Sequence, residues 1–121
     1  MPFDKHILVY AEDASVRRTQ ELMLEAAGFI VISVGTLREV EYVASRSVFD
    51  LVIIGRAIPP PNKMQVAQIV RAKIPNALVL EICDIETCVD NPDYFLVSPT
   101  PGELEQKVID IFRAKGKKAG G

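Results

Sequence analysis

The feature that most constrains this chain is a regular alternation between short apolar runs and longer amphipathic segments. Five apolar runs of strand length lie at residues 6–10, 29–34, 50–54, 78–82 and 94–97. Helical spacing of apolar residues follows each of the first three runs and the fifth. The first three runs are almost continuously apolar, which is typical of strands covered on both faces in a parallel sheet. The pattern predicts an α/β fold with a doubly wound sheet.

Capping residues sharpen the predicted helix boundaries. Thr36 is followed three residues later by Glu39, and Thr100 by Pro101 and then Glu103. Both patterns predict a capping box, in which the hydroxyl and the carboxylate each accept a hydrogen bond from a free backbone amide. Gly28 ends the first helical pattern.

Size and charge bound the class of protein. The chain has 121 residues and a net charge of -2, which suits one domain and gives no broad basic surface for nucleic acid. No apolar run is long enough to span a bilayer and no basic-then-apolar leader is recognisable. We therefore expect a cytoplasmic protein that does not bind a membrane. We divide it into a body at residues 1–114 and a flexible basic tail at 115–121.

The chain contains few residues suited to catalysis. It has no GxGxxG, P-loop or GxSxG motif, and His6 is its one histidine. We therefore predict no enzyme activity and no cofactor. The two cysteines, Cys83 and Cys88, do not form a CxxC pair, and we expect two partly buried thiols, with a redox switch as the alternative.

Several stretches, taken in order, resemble the receiver domain of bacterial response regulators from about His6 to Phe112. They are Ile7-Leu8-Val9 leading to Glu12-Asp13, Ala26-Ala27-Gly28-Phe29, the run from Phe49 to Ile54, and Pro59 four residues beyond Gly55. The resemblance implies a three-layer, flavodoxin-like fold with a five-stranded parallel sheet in strand order 2-1-3-4-5. It also implies a role in two-component signalling, where a phosphorelay passes through such domains.

Active receivers use a set of residues that this chain holds only in part. They hold Mg²⁺ with an acidic pair after the first strand and an aspartate that accepts phosphate after the third. A hydroxyl residue after the fourth strand and a lysine after the fifth then hold the phosphate. By the resemblance, Glu12 and Asp13 match the acidic pair, whereas Gly55, Cys83 and Ser98 replace the aspartate, the hydroxyl residue and the lysine.

The residues at the strand ends therefore predict a degenerate phosphorylation pocket made of Glu12, Asp13, Gly55, Arg56, Cys83 and Ser98. Glu12 and Asp13 would repel each other, and either a weakly held Mg²⁺ or the guanidinium of Arg56 could relieve the repulsion. Our hypothesis is that Arg56 replaces the metal, the alternative being an arginine that points into solvent, and we assign no metal. The acidic pair also has a structural interpretation, because acidic residues are favoured at a helix start.

The segment between the fourth and fifth strands departs from the resemblance as well. Only 15 steps separate Cys83 from Ser98, and Asn91-Pro92 would break a helix there, so we expect a short or missing fourth helix. Glu81, in the middle of the fourth apolar run, would mark the uncovered part of the sheet. We assign a candidate interaction surface to Glu81, Phe95 and Pro99.

These observations favour an atypical pseudo-receiver that signals without phosphorylation through protein–protein contacts. Its partner would be a sensor kinase, an output domain or another signalling protein, and a homodimer is possible. The alternative is a regulatory domain that responds to redox state through Cys83 and Cys88, or to a small ligand in the degenerate pocket.

Overall fold

The computed structural model describes residues 4–120, with side chains described through residue 114. Within that range the elements follow the predicted alternation. In chain order they are β1 (His6–Tyr10), α1 (Ala14–Ala26), β2 (Ile30–Val34), α2 (Leu37–Ala44), β3 (Leu51–Ile54), α3 (Pro60–Lys73), β4 (Leu78–Cys83), β5 (Tyr94–Val97) and α4 (Pro101–Gly120).

The five strands form one parallel sheet in the order β2-β1-β3-β4-β5. The predicted fold class and strand order are therefore confirmed. Strands β1 and β3 lie at the centre, and all of β3 and four of the five residues of β1 are buried. Their near-continuous apolar sequence is explained by helices on both faces.

Alternate residues of the strands supply two separate hydrophobic cores. On one face, Leu8 and Val52 pack with Val40 of α2 and Val66 of α3. On the other face, strand residues such as Val9 and Ile53 pack with Leu24 of α1 and with Leu104, Val108 and Phe112 of α4. The molecule thus has three layers, with α2 and α3 on one side of the sheet and α1 and α4 on the other.

Local capping fixes where the helices begin. The Thr36 hydroxyl accepts from the Glu39 amide at 3.1 Å, while Glu39 accepts from the Gly35 amide at 3.0 Å. At the start of α4, Thr100 and Glu103 form the reciprocal pair predicted from the sequence, with distances of 3.1 and 2.8 Å. Asp13 caps α1 in the same way by accepting from the Val16 amide.

Residues 84–93, all of which the structure describes, contain no helix, so the expectation of a short or missing fourth helix is confirmed. Beyond β5, the backbone of α4 continues through residue 120, across the boundary predicted at 114. That includes most of the segment expected to be a flexible tail, whose flexibility stays a prediction. Across the described residues, no helix combines the length and apolar character needed to cross a bilayer.

Candidate functional site

The carboxyl ends of β1 and β3 meet at one edge of the sheet and bring four of the predicted pocket residues together. Glu12, Asp13, Gly55 and Arg56 line one cavity there. Pro99, Thr100 and Pro101 close it on the side of α4. Cys83 and Ser98 adjoin each other, with the Ser98 amide donating to the Cys83 carbonyl at 2.8 Å, but their side chains do not belong to the cavity wall.

Backbone atoms next to Gly55 lie close to the position that an acceptor side chain would occupy. The Gly55 amide donates to the Tyr10 carbonyl at 2.8 Å. A Cβ atom at residue 55 would lie 2.9 Å from that carbonyl oxygen and 3.3 Å from the Ala11 Cβ. Because the first of these is backbone, an aspartate at residue 55 would require the ends of β1 and β3 to move apart.

Glu12 and Asp13 each accept a hydrogen bond from a residue close to them in the sequence. The Tyr10 hydroxyl donates to Glu12 Oε2 at 3.1 Å, and the Val16 amide donates to Asp13 Oδ1 at 3.0 Å. Burial raises the pKa of Tyr10, and its contact with Glu12 adds to that rise, whereas Asn62 opposes it. The structural interpretation of the acidic pair therefore holds for Asp13, which caps α1.

These residues do not fit the Mg²⁺ site of active receivers. Gly55 offers no side-chain oxygen, and Asp13 is committed to a backbone amide. Among the described residues, no group of three acidic, histidine or cysteine side chains is placed to hold a metal ion. Because Mg²⁺ needs near-octahedral oxygen coordination, we derive no chemistry through a metal here.

Arg56 does not pair with Glu12 or Asp13, so the prediction that its guanidinium relieves their repulsion is wrong. Its Nε lies 3.4 Å from Oδ1 of Asp84, the first residue after β4. Both side chains are more than half exposed, which makes the pair a weak surface salt bridge. Arg17, which sequence reasoning missed, reaches the strand ends instead and donates to the carbonyls of Ala11 and Glu12 at 2.8 and 3.4 Å.

A buried ion pair joins α3 to β4 beneath the segment that lacks a helix. Lys63 Nζ lies 3.1 Å from Glu81 Oε2 and donates to the Ile82 carbonyl at 2.8 Å. The side chains are 3% and 0% exposed. The prediction that Glu81 belongs to an exposed interaction surface is therefore wrong. A signal was available, since Lys63 shares the inward spacing of Val66 and Val70 on α3.

Glu81 also fixes the path of the segment from residue 84 to 93. Its carboxylate accepts from the Cys88 amide at 2.9 Å and from the Val89 amide at 3.2 Å. Arg71 donates to the carbonyls of Asp90 and Asn91, both at 2.7 Å. In addition, Asp93 accepts from the Val79 amide at 2.7 Å. The irregular segment is thus anchored by side chains on α3 and β4 and by its own carboxylate.

The missing helix leaves apolar side chains of β5 open. Phe95 lies opposite Glu81 in the parallel register, and Val97 lies opposite Cys83. Residues in register share a face, so both point to the side of the sheet that carries α3. Phe95 is 54% exposed and Val97 is 49% exposed, whereas Pro99 is half-buried. Of the predicted interaction surface, Phe95 is the member most open to solvent.

Both cysteines are free thiols. Cys83 is buried at the end of β4, where its Sγ lies 3.5 Å from the Leu96 carbonyl. Burial raises the pKa of the Cys83 thiol, and the nearby Glu81 carboxylate raises it further. A neutral, buried thiol reacts slowly, which gives no support to a redox switch that depends on Cys83.

Comparison with known proteins identifies the fold. No known family profile matches the chain, and no curated protein matches its sequence. Solved structures do match. A response regulator receiver protein from Sinorhizobium medicae has 26% identity and a TM-score of 0.76, covering 92% of this chain and 96% of that one. A CheY-like receiver domain from Methanospirillum hungatei has 16% identity and a TM-score of 0.80, covering 95% and 98%.

A third similar structure is the receiver domain of a Francisella response regulator, with 16% identity and a TM-score of 0.77, covering 93% of this chain and 99% of that one. Each of the three comparisons covers more than nine-tenths of this chain. The chain therefore has the fold of response regulator receiver domains, as the sequence resemblance predicts.

Proposed function

We propose that this chain is a receiver-like signalling module that works without phosphorylation, through protein–protein contacts, in a two-component or related pathway. The observation that carries the proposal is the closed backbone at Gly55, where a Cβ atom would lie 2.9 Å from the Tyr10 carbonyl oxygen. A site shaped for a nucleophile would leave room for its side chain, and this one does not.

The residues that would hold a transferred phosphoryl group support the same proposal. Stabilising such a group requires cations or hydrogen-bond donors aimed at its oxygens. Ser98 stands after β5 in place of a lysine, and Arg56 is turned towards Asp84. Glu12 and Asp13 remain at the pocket and would repel a phosphate. We assign the protein no catalytic residue.

The proposed contact surface is the uncovered face of β5, represented by Phe95 and Val97, with Pro99 beside it. Exposed apolar side chains that cluster on one face are typical of protein-binding surfaces. Ile85, 87% exposed in the connection after β4, extends the apolar character of this region. A sensor kinase, an output domain or a second copy of the chain would bury it. We place the protein in the cytoplasm, where these partners act.

Phosphorylation is tested by treating the purified protein with acetyl phosphate or beryllofluoride and magnesium. We expect no mass gain and no change in the amide NMR spectrum. The Sinorhizobium medicae receiver serves as the positive control if it is first shown to react. A stoichiometric phosphoryl adduct on this chain, or saturable beryllofluoride shifts at residues 12, 13 and 55, would refute the proposal.

The contact surface is tested with Phe95→Glu and a matched control, Val48→Glu. Val48 is a 78% exposed apolar residue in the α2–β3 connection, away from β5. We expect Phe95→Glu to abolish partner capture or self-association, measured by quantitative affinity capture and by sedimentation velocity, while Val48→Glu leaves them unchanged. Equal behaviour of both variants would remove β5 from the proposal.

A further inference from the structure

The outer edge of β5 is an open row of backbone groups. β5 is the last strand of the sheet and pairs with β4 alone. The Ser98 amide donates to the Cys83 carbonyl at 2.8 Å, so it points towards β4. Because successive residues of a strand send their backbone groups to opposite sides, the N–H and C=O groups of Phe95 and Val97 point away from β4. Among the residues that the structure describes, no strand pairs with this edge.

The side chains of β5 do not protect this edge from another strand. The run Tyr94–Val97 contains no charged residue and no proline, which are the usual means of protecting an edge. Phe95 and Val97 are each about half exposed, because the segment between β4 and β5 has no helix to cover them. An open, uncharged and apolar edge is suited to receive a strand by backbone pairing.

The β5 strand is complementary to a second copy of itself. In an antiparallel pair centred on Leu96, Phe95 of each copy lies opposite Val97 of the other. These are the residues whose backbone groups point outwards, so each Phe95 exchanges both of its backbone hydrogen bonds with the opposite Val97. On the open face the large ring of Phe95 then meets the small Val97 side chain, and such aromatic and β-branched pairs stabilise a sheet.

Charges on α4 favour the same arrangement. Lys107 Nζ lies 5.0 Å from the centre of the Tyr94 ring, at the start of β5. Glu103 belongs to the capping box of α4, just beyond Ser98 at the other end of β5. The antiparallel pair places Tyr94 of one copy beside Ser98 of the other, so Lys107 of each copy lies on the side of the other copy's Glu103. This charge complementarity favours a second copy over an unrelated strand.

We propose that β5 pairs antiparallel with β5 of a second copy, so that one sheet continues through both molecules. The inference rests on the contact role of β5 proposed above, and it adds the identity of the partner and the backbone contact that joins them. A strand of 4 residues buries little surface, so the dimer is weak and dissociates on dilution.

The first test removes an outward N–H group. Val97→Pro takes away a donor that β4 does not use, so the variant should fold and remain monomeric. Ser33→Pro is the matched control at the other edge of the sheet, where the Val34 carbonyl accepts from the Ala11 amide and its neighbour Ser33 therefore faces outwards. In sedimentation velocity from about 1 µM to about 1 mM, we expect the unmodified chain and the control to form a reversible dimer.

The second test concerns the charges on α4. Lys107→Glu should raise the dissociation constant of the dimer about 2- to 10-fold, as expected for the loss of exposed ion pairs. Lys73→Glu, on α3, changes the net charge by the same amount and should leave the constant unchanged.

The third test uses the unmodified chain and therefore decides the question even if Val97→Pro folds poorly. Amide hydrogen exchange is measured at a concentration where the chain is monomeric and at one where it is dimeric. The amides of Phe95 and Val97 should gain protection in the dimer. Those of Val31 and Ser33, which face outwards at the β2 edge, should exchange equally at both concentrations.

The proposal is overturned by a chain that stays monomeric over the whole range, by a dimer that persists in folded Val97→Pro, or by exchange at Phe95 and Val97 that does not depend on concentration. If the chain stays monomeric but Phe95→Glu still abolishes partner capture, the pairing fails and β5 remains the contact surface for another protein. If Phe95→Glu also has no effect, the contact role of β5 fails with it.

Discussion

The acceptor pocket and the β4–β5 segment both differ from what the receiver resemblance implies, and they have been rebuilt in opposite ways. At the pocket, Gly55 replaces a side chain, and the ends of β1 and β3 lie too close together there to admit a Cβ atom without moving. The β4–β5 segment lacks a helix. Lys63 nevertheless donates hydrogen bonds to Glu81 and to the Ile82 carbonyl, and Glu81 accepts from the Cys88 amide, which holds the connection in place.

The comparison shows when a missing side chain or a missing helix leaves part of the molecule uncovered. At residue 55, neighbouring backbone occupies the position of the missing side chain, so no opening is left there. Removing a helix exposes backbone and apolar surface, and here a charged pair with its backbone contacts supplies order in its place. The first region is therefore closed to a new side chain, and the second holds a fixed shape with an open β5 face.

The largest expected effect comes from breaking the buried pair. Lys63→Met keeps the aliphatic stem but leaves the Glu81 carboxylate buried without its cation. We expect the free energy of unfolding to fall by about 3–5 kcal/mol, measured by urea denaturation. Lys73→Met, on the exposed side of the same helix, should change it by less than about 0.5 kcal/mol. A cost below about 1 kcal/mol for Lys63→Met would contradict a structural role for the pair.

A smaller loss is expected from restoring a side chain at residue 55. Gly55→Ala places its Cβ against the Tyr10 carbonyl and should destabilise the fold by about 1–3 kcal/mol. Gly102→Ala is the matched control, because a Cβ there has no neighbour within 4 Å. The control should be neutral or stabilising by up to about 1 kcal/mol, since alanine favours a helix. If the two variants had equal midpoints of chemical unfolding, the ends of β1 and β3 would separate at little cost in free energy.

The buried, unpaired side-chain oxygen of Gln20 predicts a gain of stability when it is removed. Gln20→Leu eliminates a buried acceptor without a donor and replaces it with an apolar group. We expect the free energy of unfolding to rise by about 1 kcal/mol in the absence of any ligand. A loss of similar size in calorimetry would mean that Gln20 is satisfied in solution by water or by a contact of its own.

The smallest expected effect is a loss of stability at alkaline pH. The folded-state pKa values of Cys83 and Tyr10 are raised above their ordinary values of 9.0 and 10.0, so folding favours the protonated groups. The stability that these two protonated groups contribute is fully present below pH 9. It is lost as pH rises through their raised folded-state pKa values, because the unfolded chain releases those protons first. Urea midpoints measured from pH 7 to 10.5 should fall, and Cys83→Ala should flatten the curve, whereas Cys88→Ala should not.

Most of the fold could be predicted from the sequence because its determinants are local. Apolar runs such as Leu51–Ile54 indicate buried strands by themselves, and the short spacing between Cys83 and Ser98 indicates a short or missing helix. The capping box at Thr100 and Glu103 likewise depends on residues three apart.

The candidate site is harder to predict from the sequence than the fold, because its contacts join residues that are far apart along the chain. Lys63 and Glu81 each look like an exception within an apolar pattern, and only the packing of α3 on β4 makes them partners. Arg56 could reach several carboxylates from the end of β3, and side-chain direction rather than sequence selects Asp84. The cavity between α1 and the start of α4 depends on how far apart these two helices lie, which no local pattern specifies.

The close approach of β1 and β3 at Gly55 also bears on the history of the chain. With 2.9 Å between a Cβ at residue 55 and the Tyr10 carbonyl oxygen, an aspartate introduced there would meet a backbone that no longer accommodates it. Under the proposed function, regaining phosphorylation would need the strand ends to separate and Ser98 to become a lysine at the same time. Under the proposed function, the loss of the acceptor is therefore hard to reverse: single steps back pass through less stable proteins, and selection is left to act on the open face of β5.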